Sequence, residues 1–437
     1  MSISFRVVLI ALPLSQATDW KFIKEGNGGA ANSLTLEGVG AGAFDPSRIA
    51  NFVLDLRAPL IAPKEGGSCP GNIYNANPVV NGGAINVFFG GWDGVSSCHD
   101  SISVAVTMDH FQSFGEHVPV VTTGNRQHVN NPSALRRPDG RWAMLYTQLP
   151  QTAPPLNKPG FSESTDGVAF VPSAGGAAQL VQVKGYAGWD EADVNGGNVL
   201  YYTPPASGVT APGQYDMYFV DFNNRNHSVY HAVAPASAVA AAAAAPIFSY
   251  VGVAMEEPHK IVNDIKRING HWVLALHANG QQTFVSVTSE GATGAAAAAR
   301  PPSKWPPTRI LFEHSGEADY YIVSCGLVVD EASKVLKGAL YGAGAVPQLD
   351  NNRIFATWLQ RRAIFRSADN ATAWGLGDAA RAQGVDAVQL ATNAPSLRGR
   401  WYLYDADYTD EARPGTLLAV SELVDVLPGE VWRVSEQ

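Results

Sequence analysis

Short apolar runs, many of them alternating with polar positions, are separated by Gly, Asn and Asp along most of this chain. Residues 72–109 show the pattern: NANPVV leads into Gly82-Gly83, INVFF follows, and SISVAV comes after a polar and aromatic loop. β-Branched and aromatic runs of this length, split by turn-forming residues, are typical of antiparallel strands. The two-residue turns Asp139-Gly140 and Asn269-Gly270 between such runs predict tight hairpins.

This strand unit recurs along the chain. The polar positions that open successive units are Asn77, Asn131, Asp193 and Asp264, with Cys325 at a similar place in a fifth unit. Neighbouring openings lie 54 to 71 residues apart. A repeat of several antiparallel strands at this spacing predicts an all-β fold of the β-propeller type. A sixth, weaker unit over residues 385–424 is compatible with six blades.

Several units close with Ser or Thr, then any residue, then Asp, with an aromatic residue soon after. Ser164-Thr165-Asp166 followed by Phe170 is an example. In such a turn the Asp binds its own backbone, and the aromatic ring packs between strands. We interpret the motif as a structural device.

Composition narrows the class of protein. Hydrophobic residues make up 46% of the 437 residues and charged residues 16%, which suits a globular protein with a substantial core. The net charge of −9 argues against nucleic acid and anionic membrane surfaces as main partners. We therefore expect neither a nucleic acid nor a membrane partner.

The N-terminal residues have the pattern of a secretory signal. Arg6 precedes an apolar core at residues 7–14, and Ser15-Gln16-Ala17 offers small residues for a cleavage site. This pattern predicts a signal peptide over residues 1–17, one propeller domain over residues 18–437, and a secreted or extracytoplasmic protein. The alternative is an ordinary first strand, because VVLIAL also suits one.

The chain has three cysteines. Cys69 and Cys98 flank the first unit, and they suit a disulfide if the protein is exported. Cys325 lies inside the apolar run YYIVSCGLVV, so we expect its side chain to be buried.

In a propeller, the starts of the innermost strands and the loops between second and third strands open on one face. Polar side chains at these places converge on a central pocket although they are distant in sequence, and at the strand starts they also include Asn75, Asn130 and Asn263. Carboxylates, amides, imidazoles and indoles together suit a sugar, which needs polar partners for its hydroxyl groups and an aromatic surface for its C–H groups. We predict substrate-binding roles for Asn77, Trp92, Asp93, Asn131, Trp189, His277 and Asp319.

The chain resembles the five-bladed propeller glycoside hydrolases, which include arabinanase/xylosidase, invertase-like and agarose-oligosaccharide hydrolase families. The resemblance lies in NPSALRRPDGRWAMLYT, VFFGGWDG, NDIKRINGHWVLAL and the S-x-D-G closures, and it spans residues 70–375. It implies five blades, with an Asp base, an Asp that tunes pKa and orients, and a Glu acid at the starts of inner strands. Here Asn77-Pro78 and Asn131-Pro132 stand where the family has Asp-Pro, and an amide cannot act as a base.

Catalytic carboxylates therefore have to come from elsewhere in this chain. His99 beside Asp100 suits an acid, because imidazole titrates near neutrality. Each candidate also has a structural alternative, since Asp at a strand start often caps a turn and Trp in a propeller often packs between blades. We predict catalytic roles for Asp193, Asp264, Asp100, His99, Glu191 and Glu257.

The predicted function is a secreted glycoside hydrolase that cleaves an oligo- or polysaccharide in a central funnel by carboxylate acid/base catalysis. An alternative is a propeller that binds glycans or proteins without catalysis, which the two Asn-Pro pairs favour. A sialidase-like hydrolase is a further alternative and needs an arginine cluster, for which Arg126, Arg267 and Arg361 are the candidates. No cofactor is predicted, although a central divalent ion is compatible with the funnel.

Overall fold

The structure is a computed structural model. It describes the backbone alone, without side chains, for the strand residues 20–24, 52–54, 171–172, 330, 335 and 358–359 and for the strands from residue 361 onwards. The residues described are 20–24, 52–54, 59–63, 72–91, 101–108, 111, 113–122, 128–149, 155–172, 180–205, 213–224, 228–236, 246–268, 271–288, 300–314, 318–330, 335–345, 352–359, 361–367, 387–389, 397–406, 416–426 and 431–436.

The first two blades are antiparallel sheets of four strands each. Two short strands come before them in the chain, β1 Trp20–Lys24 and β2 Phe52–Leu54. The first blade contains β3 Ile73–Asn81, β4 Ala84–Gly91, β5 Ser101–Thr107 and β6 Val118–Thr122. The second blade contains β7 His128–Arg136, β8 Trp142–Leu149, β9 Lys158–Ser164 and β10 Val171–Pro172.

Three further sheets complete the propeller. The third blade contains β11 Gln182–Lys184, β12 Asn198–Thr203, β13 Gln214–Val220, β14 Val229–Pro235 and β15 Ile247–Met255, with a 3-10 helix at Trp189–Glu191. The fourth contains β16 Ile261–Ile268, β17 His271–His277, β18 Gln282–Val287 and β19 Arg309–Glu313. The fifth contains β20 Tyr321–Ile322, β21 Gly326–Asp330, β22 Val335–Gly344 and β23 Arg353–Leu359.

The five sheets close into a ring. The innermost strands are β3, β7, β12, β16 and β21; each contacts the next, and β21 contacts β3. The early strand β2 pairs antiparallel with β23, so a segment from before the first blade forms the outer strand of the fifth. These findings confirm the predicted all-β propeller and its five blades.

Most of the core lies between neighbouring blades, because both faces of a blade are covered. On β8, Trp142, Met144 and Tyr146 pack toward the first blade, whereas Ala143 and Leu145 pack toward the third. Burying one large apolar side chain contributes roughly 1.5–3 kcal/mol to folding. Two covered faces explain why the strands read as continuous apolar runs as often as alternating ones.

The hairpins predicted from the sequence are confirmed. Asp139-Gly140 lies in the turn that joins β7 to β8, with Gly140 at a φ of 85°, and Gly82-Gly83 joins β3 to β4 with Gly82 at a φ of 62°. The β7–β8 turn has three residues, because Arg137 still pairs with Arg141. Ile268 pairs directly with His271, while Asn269 and Gly270 between them lie outside the described residues.

The Ser164-Thr165-Asp166 closure is confirmed as a structural device. Asp166 Oδ1 accepts hydrogen bonds from the backbone N–H groups of Val168 and Ala169, each at 2.8 Å. The ring of Phe170 meets Phe88 of the first blade edge-on at 5.8 Å.

The chain divides into two compact units, Ala41–Leu359 and the combination of Met1–Gly40 with Gln360–Gln437. The second unit has one sheet of β1, β25 Ala387–Gln389 and β28 Val431–Glu436, and another of β24 Arg361–Ser367, β26 Leu397–Ala406 and β27 Thr416–Val426. The strands of the predicted sixth repeat are β25, β26 and β27, so they form no sixth blade. The propeller sheets occupy residues 52–359 of the domain predicted over 18–437.

The predictions for the N-terminal segment and the cysteines have different outcomes. The predicted signal peptide, Cys69 and Cys98 lie outside the described residues. Cys325 is fully buried as predicted, and burial raises the pKa of its thiol. In the part of the chain that the structure describes, no helix is long and apolar enough to cross a membrane.

Candidate functional site

Polar side chains gather at the end of the propeller where the innermost strands begin and the second strands end. Every member of this group is at most 7% exposed, although asparagine and histidine usually lie nearer the surface. We call the group the axial cluster. Its members are Tyr74, Asn75, Asn130, Asn131, Thr147, Asn198, Asn263, His277 and Ser324.

Backbone irregularities place the asparagines of the axial cluster. The pairing register shifts between Tyr74 and Asn77 on β3, and the shift leaves Asn75 in the left-handed region with a φ of 57°. The same shift on β7 leaves Asn131 at a φ of 52°, and Asn263 lies in a shift on β16. Asparagine tolerates this conformation better than most residues, and a bulge redirects a side chain at a site.

These registers correct one equivalence that the sequence suggested. The two Asn-Pro pairs invite an alignment of Asn77 with Asn131, but the structure aligns Asn75 with Asn131 and Asn77 with Ser133. Both strands have the same bulge, but Pro132 lies inside it on β7 whereas Pro78 follows it on β3, so the two prolines differ by two residues in the strand pairing. Asn77 therefore lies one step into the strand, beyond the axial cluster.

A chain of hydrogen bonds runs through three blades of the axial cluster. Asn130 Nδ2 donates to the Tyr74 hydroxyl at 2.9 Å, and Asn131 Nδ2 donates to Asn130 Oδ1 at 2.7 Å. Asn131 Nδ2 also lies 3.5 Å from Thr147 Oγ1, which accepts a bond from Asn198 Nδ2 at 3.0 Å. The amides are thus held in fixed orientations by one another.

Two glycines make room for these amides. A Cβ atom at Gly90 would lie 3.1 Å from both Asn130 Cβ and Asn131 N. At Gly196, which has a φ of 73°, a Cβ would lie 3.0 Å from Asn131 Nδ2. Larger residues at either position would push the asparagines out of place.

The remaining blades contribute a hydroxyl and an imidazole. Ser324 Oγ accepts bonds from the backbone N–H groups of Asn75 and Gly342, each at 2.9 Å. His277 Nδ1 lies 2.7 Å from Asn263 Oδ1, and Nε2 lies 2.9 Å from Asn279 Oδ1. Burial lowers the pKa of His277 to about 4, so its imidazole is neutral at neutral pH and has a single N–H. With Nδ1–H donating to Asn263 Oδ1, Nε2 is an acceptor, and the Asn279 amide then presents its NH₂ group to it.

Asn77 and Ser133 link neighbouring blades. Asn77 Oδ1 accepts a hydrogen bond from the backbone N–H of Ala134 at 2.8 Å. Ser133 Oγ accepts one from the N–H of Leu200 at 2.9 Å. Both side chains satisfy a backbone donor of the next inner strand, which a buried N–H group requires.

Asp264 makes the same kind of link. Its Oδ2 accepts a bond from the N–H of Leu327 at 2.8 Å, while Oδ1 accepts from the N–H of Ile265 at 2.8 Å and lies 3.2 Å from Lys266 Nζ. Burial raises the pKa of this carboxyl, and Lys266 and the backbone N–H groups oppose the rise. Oδ2 therefore links the fourth blade to the fifth, and Oδ1 is engaged within β16 itself.

Asp193 lies between the second and third blades, outside the axial cluster. Its Oδ1 accepts bonds from the backbone N–H and the Nδ2 of Asn157, each at 2.9 Å. Asn157 Oδ1 lies 2.8 Å from His128 Nε2, and burial is the main cause that lowers the pKa of His128. The N–H of Asp193 donates to Asp221 Oδ1 at 3.0 Å.

Trp189 and Glu191 belong to the short 3-10 helix before β12. The Trp189 indole is 6% exposed and packs edge-on against Phe219 at 5.5 Å, so it is part of the core. Lys158 Nζ donates to the carbonyl oxygens of Trp189 and Ala192, which fixes this segment. The Glu191 side chain is exposed. A shallow surface pocket of about 530 Å³ here is lined by Gln182, Val183, Tyr186, Gly188, Trp189, Asp190 and Glu191.

Glu257 binds the segment that leads into β19 of the fourth blade, and Asp319 binds within the fifth blade. Glu257 Oε1 accepts a bond from the backbone N–H of Thr308 at 2.5 Å, and Oε2 accepts one from the Thr308 hydroxyl. Asp319 is 1% exposed, and its Oδ2 accepts a bond from the Tyr341 hydroxyl at 2.7 Å. Neither carboxylate is part of the axial cluster.

The structure thus brings together two of the predicted site residues, Asn131 and His277, and places the other described ones elsewhere. Trp92, Asp93, His99 and Asp100 lie outside the described residues, in the segment that joins Gly91 of β4 to Ser101 of β5. Because Gly91 pairs with Ile73, both of those strand ends are at the axial end of the first blade.

Sequence reasoning missed four members of the axial cluster, Tyr74, Thr147, Asn198 and Ser324. Asn198 carries a recognisable signal, because it follows Gly196-Gly197 directly and opens an apolar strand. The other three have no signal in the sequence, since each lies within or beside an ordinary strand.

The axial cluster offers amides, hydroxyls and one imidazole. Divalent cations such as Ca²⁺ and Mg²⁺ are usually held by carboxylates, and none of the nine side chains carries one. Within the described ranges, no three or more His, Cys, Asp or Glu residues stand close enough to hold a metal ion. The cluster as described therefore does not fit a central divalent ion.

Replacing Asp264 tests its structural role. In Asp264→Asn an NH₂ group faces a backbone N–H, so one buried donor loses its acceptor. We expect the free energy of unfolding to fall by about 1–3 kcal/mol in denaturant titrations. The exposed Asp190→Asn serves as control and should change it by less than about 0.5 kcal/mol. An Asp264→Asn protein as stable as the wild type would refute this role.

Stability should depend on pH through His277. Its folded-state pKa of about 4 lies below the ordinary 6.5, so the unfolded chain binds more protons between these values. Its contribution is complete above pH 6.5 and is lost as the pH falls toward 4, by about 3 kcal/mol in total. Unfolding free energies of wild type and His277→Gln across this window measure it. The variant should show a shallower pH dependence, and parallel curves would contradict the assignment.

Solved structures with the same fold are known. One is a proposed glycosidase from Bacteroides thetaiotaomicron, with a TM-score of 0.51, 13% identity, and coverage of 72% of this chain and 98% of that one. A glycosyl hydrolase from Bacteroides ovatus has a TM-score of 0.49, 11% identity and coverage of 72% and 96%. The GH62 α-L-arabinofuranosidase of Coprinopsis cinerea has a TM-score of 0.45, 14% identity and coverage of 71% and 96%.

No protein-family profile and no curated protein sequence matches the chain. At these identities the structural likeness concerns the fold. The resemblance to five-bladed propeller glycoside hydrolases that the sequence predicted is confirmed at that level. This chain is thus similar in architecture to glycoside-hydrolase propellers.

Proposed function

We propose that this chain is a carbohydrate-active protein that binds an oligo- or polysaccharide at the axial cluster. The observation that supports the proposal is a buried group of neutral donors and acceptors at the start of the inner strands. Sugar hydroxyls donate and accept hydrogen bonds, and a site of fixed amides matches them without first reorganising. The fold agrees with this proposal, since glycosidases are among the proteins it resembles.

Hydrolysis of a glycosidic bond is the reaction that we propose for this site. It needs a carboxylic acid to protonate the leaving oxygen and a second group to activate water or attack the sugar. The described carboxylates are engaged elsewhere or exposed, so Asp100, with His99 beside it, is the candidate for the acid/base role. The segment 92–100 is flanked by strand ends at the axial end, which supports this choice.

A second function is glycan binding without cleavage. One observation favours it: Asn131, an amide, belongs to the axial cluster where the resemblance implies Asp, and none of the nine side chains of the cluster is a carboxylate. A sialidase-like activity has less support, because Arg267 is exposed and stacks on Trp272, while the side chains of Arg126 and Arg361 are outside the described set.

We also propose that the protein is secreted. The support is the charge and apolar pattern of residues 1–17. An exported substrate-binding protein would meet extracellular polysaccharides directly.

A panel of neutral oligosaccharides of arabinose, xylose, mannose and agarose tests the proposal. We expect at least one to raise the melting temperature, because a ligand that binds only the folded state stabilises it. Reducing ends released over time then report hydrolysis. If no member raises the melting temperature and none is cleaved, the proposal fails.

The Asp100→Asn variant separates the two functions. For a hydrolase, turnover should fall by about 10²- to 10⁴-fold while the affinity for the oligosaccharide is retained. For a binding protein, the wild type releases no reducing ends and the variant binds equally well. Asp190→Asn, which removes an exposed carboxylate at the same end, is the matched control.

A further inference from the structure

Two amide atoms of the axial cluster are buried without a hydrogen-bond partner among the described residues. They are Asn198 Oδ1 and Asn263 Nδ2. Asn198 is 3% exposed and Asn263 is 5% exposed. A buried polar atom without a partner is costly, so a native structure that keeps two at one site calls for an explanation.

The other atom of each amide is engaged. Asn198 Nδ2 donates to Thr147 Oγ1 at 3.0 Å, and Asn263 Oδ1 lies 2.7 Å from His277 Nδ1. Each side chain is therefore held by the protein through one amide atom, and its other amide atom has no partner among the described residues. Since the inner strands β12 and β16 are in contact, the two atoms belong to neighbouring blades.

The position of these atoms coincides with a gap in the hydrogen-bond network. From the first blade to the third, bonds lead from Tyr74 through Asn130 and Asn131 to Asn198. The fourth blade has its own pair, Asn263 with His277. Among the described members of the cluster, no hydrogen bond connects the third blade to the fourth, and Asn198 and Asn263 are the members on either side of this gap.

We propose that Asn198 and Asn263 determine the specificity of the axial cluster by each binding a hydroxyl group of a neutral sugar residue. This inference rests on the proposed function. A hydroxyl is both donor and acceptor, so it satisfies an amide oxygen and an amide nitrogen equally well. A ligand without a hydroxyl at one of these places leaves a buried atom unpaired, which is how polar sites reject close analogues.

The charges at this end favour an uncharged sugar. The axial cluster contains no Lys or Arg, and its imidazole is neutral at neutral pH. Asp190 and Glu191 are exposed beside the start of the third blade, and Asp193 and Asp221 lie behind them. The ammonium group of Lys158 lies near these carboxylates, but it already donates to the carbonyl oxygens of Trp189 and Ala192. Uronic or sulfated sugars would therefore meet acidic groups first, and like charges disfavour such partners.

The test uses the full-length protein and the neutral oligosaccharide that stabilises it most in the panel above. Isothermal titration of Asn198→Ala and Asn263→Ala should give dissociation constants roughly tenfold to a hundredfold higher than that of the wild type. Thr203→Val is the matched control, because Thr203 Oγ1 is also buried and has no partner among the described residues, but it lies at the other end of β12. Its dissociation constant should be unchanged.

A second measurement needs no variant and so does not depend on the folding of the alanine proteins. Monodeoxy analogues of the same oligosaccharide are titrated against the wild type. We expect at least one position where loss of the hydroxyl weakens binding roughly tenfold or more, and we expect the corresponding uronate to bind more weakly than the neutral sugar.

The outcomes separate this inference from the proposed function. If the wild type binds no oligosaccharide, the proposed function fails. If the wild type binds but both alanine variants bind equally well, or every monodeoxy analogue binds like the parent sugar, this inference is wrong and the proposed function stands.

Discussion

The closure of five twisted sheets around one axis is the constraint on which the rest of the structure depends. Each inner strand presents backbone N–H groups to its neighbour, and buried N–H groups need acceptors. Asn77, Ser133 and Asp264 supply them at equivalent positions of three blades. In the third blade the equivalent residue is Val199, whose side chain cannot accept a hydrogen bond. The N–H of Ile265 on the next inner strand donates instead to Asp264 Oδ1. In the fifth blade the equivalent residue is Gly326, which faces Pro78 of the first blade. No acceptor is needed there, because proline has no N–H.

This constraint limits the chemistry of the axial end. Asp264 resembles a catalytic carboxylate in the sequence, but closure of the ring engages its Oδ2, and Oδ1 is engaged within β16. Among the described residues, the side chains that remain at the axial end are amides, hydroxyls and one neutral imidazole. Such groups bind and orient a sugar, while proton transfer requires a further residue, and Asp100 is the candidate that we propose for it.

The fold was largely predictable from the sequence, because strand runs, two-residue turns and the S-x-D closures are local signals. The site was less predictable. Asn131 and His277 lie near strand ends, which is where the sequence analysis predicts site residues. Thr147 and Ser324 lie in or next to strands without any distinguishing sequence pattern, and their role depends on contacts between blades. The equivalence of Asn75 with Asn131 was not predictable either. The bulges that align these two residues have no clear signal in the sequence, whereas the two Asn-Pro pairs are conspicuous and suggest a different alignment. The strands after residue 360 also matched the repeat pattern, since amphipathic strands look alike whichever sheet they join.

A crystal structure of the protein with its best-bound neutral oligosaccharide tests the central claim most directly. The account predicts a sugar residue over the axial cluster, with hydroxyl oxygens about 3 Å from the side-chain amides of Asn198 and Asn263. A sugar bound instead in the shallow pocket beside Tyr186 and Glu191, with no contact to the axial cluster, would contradict it.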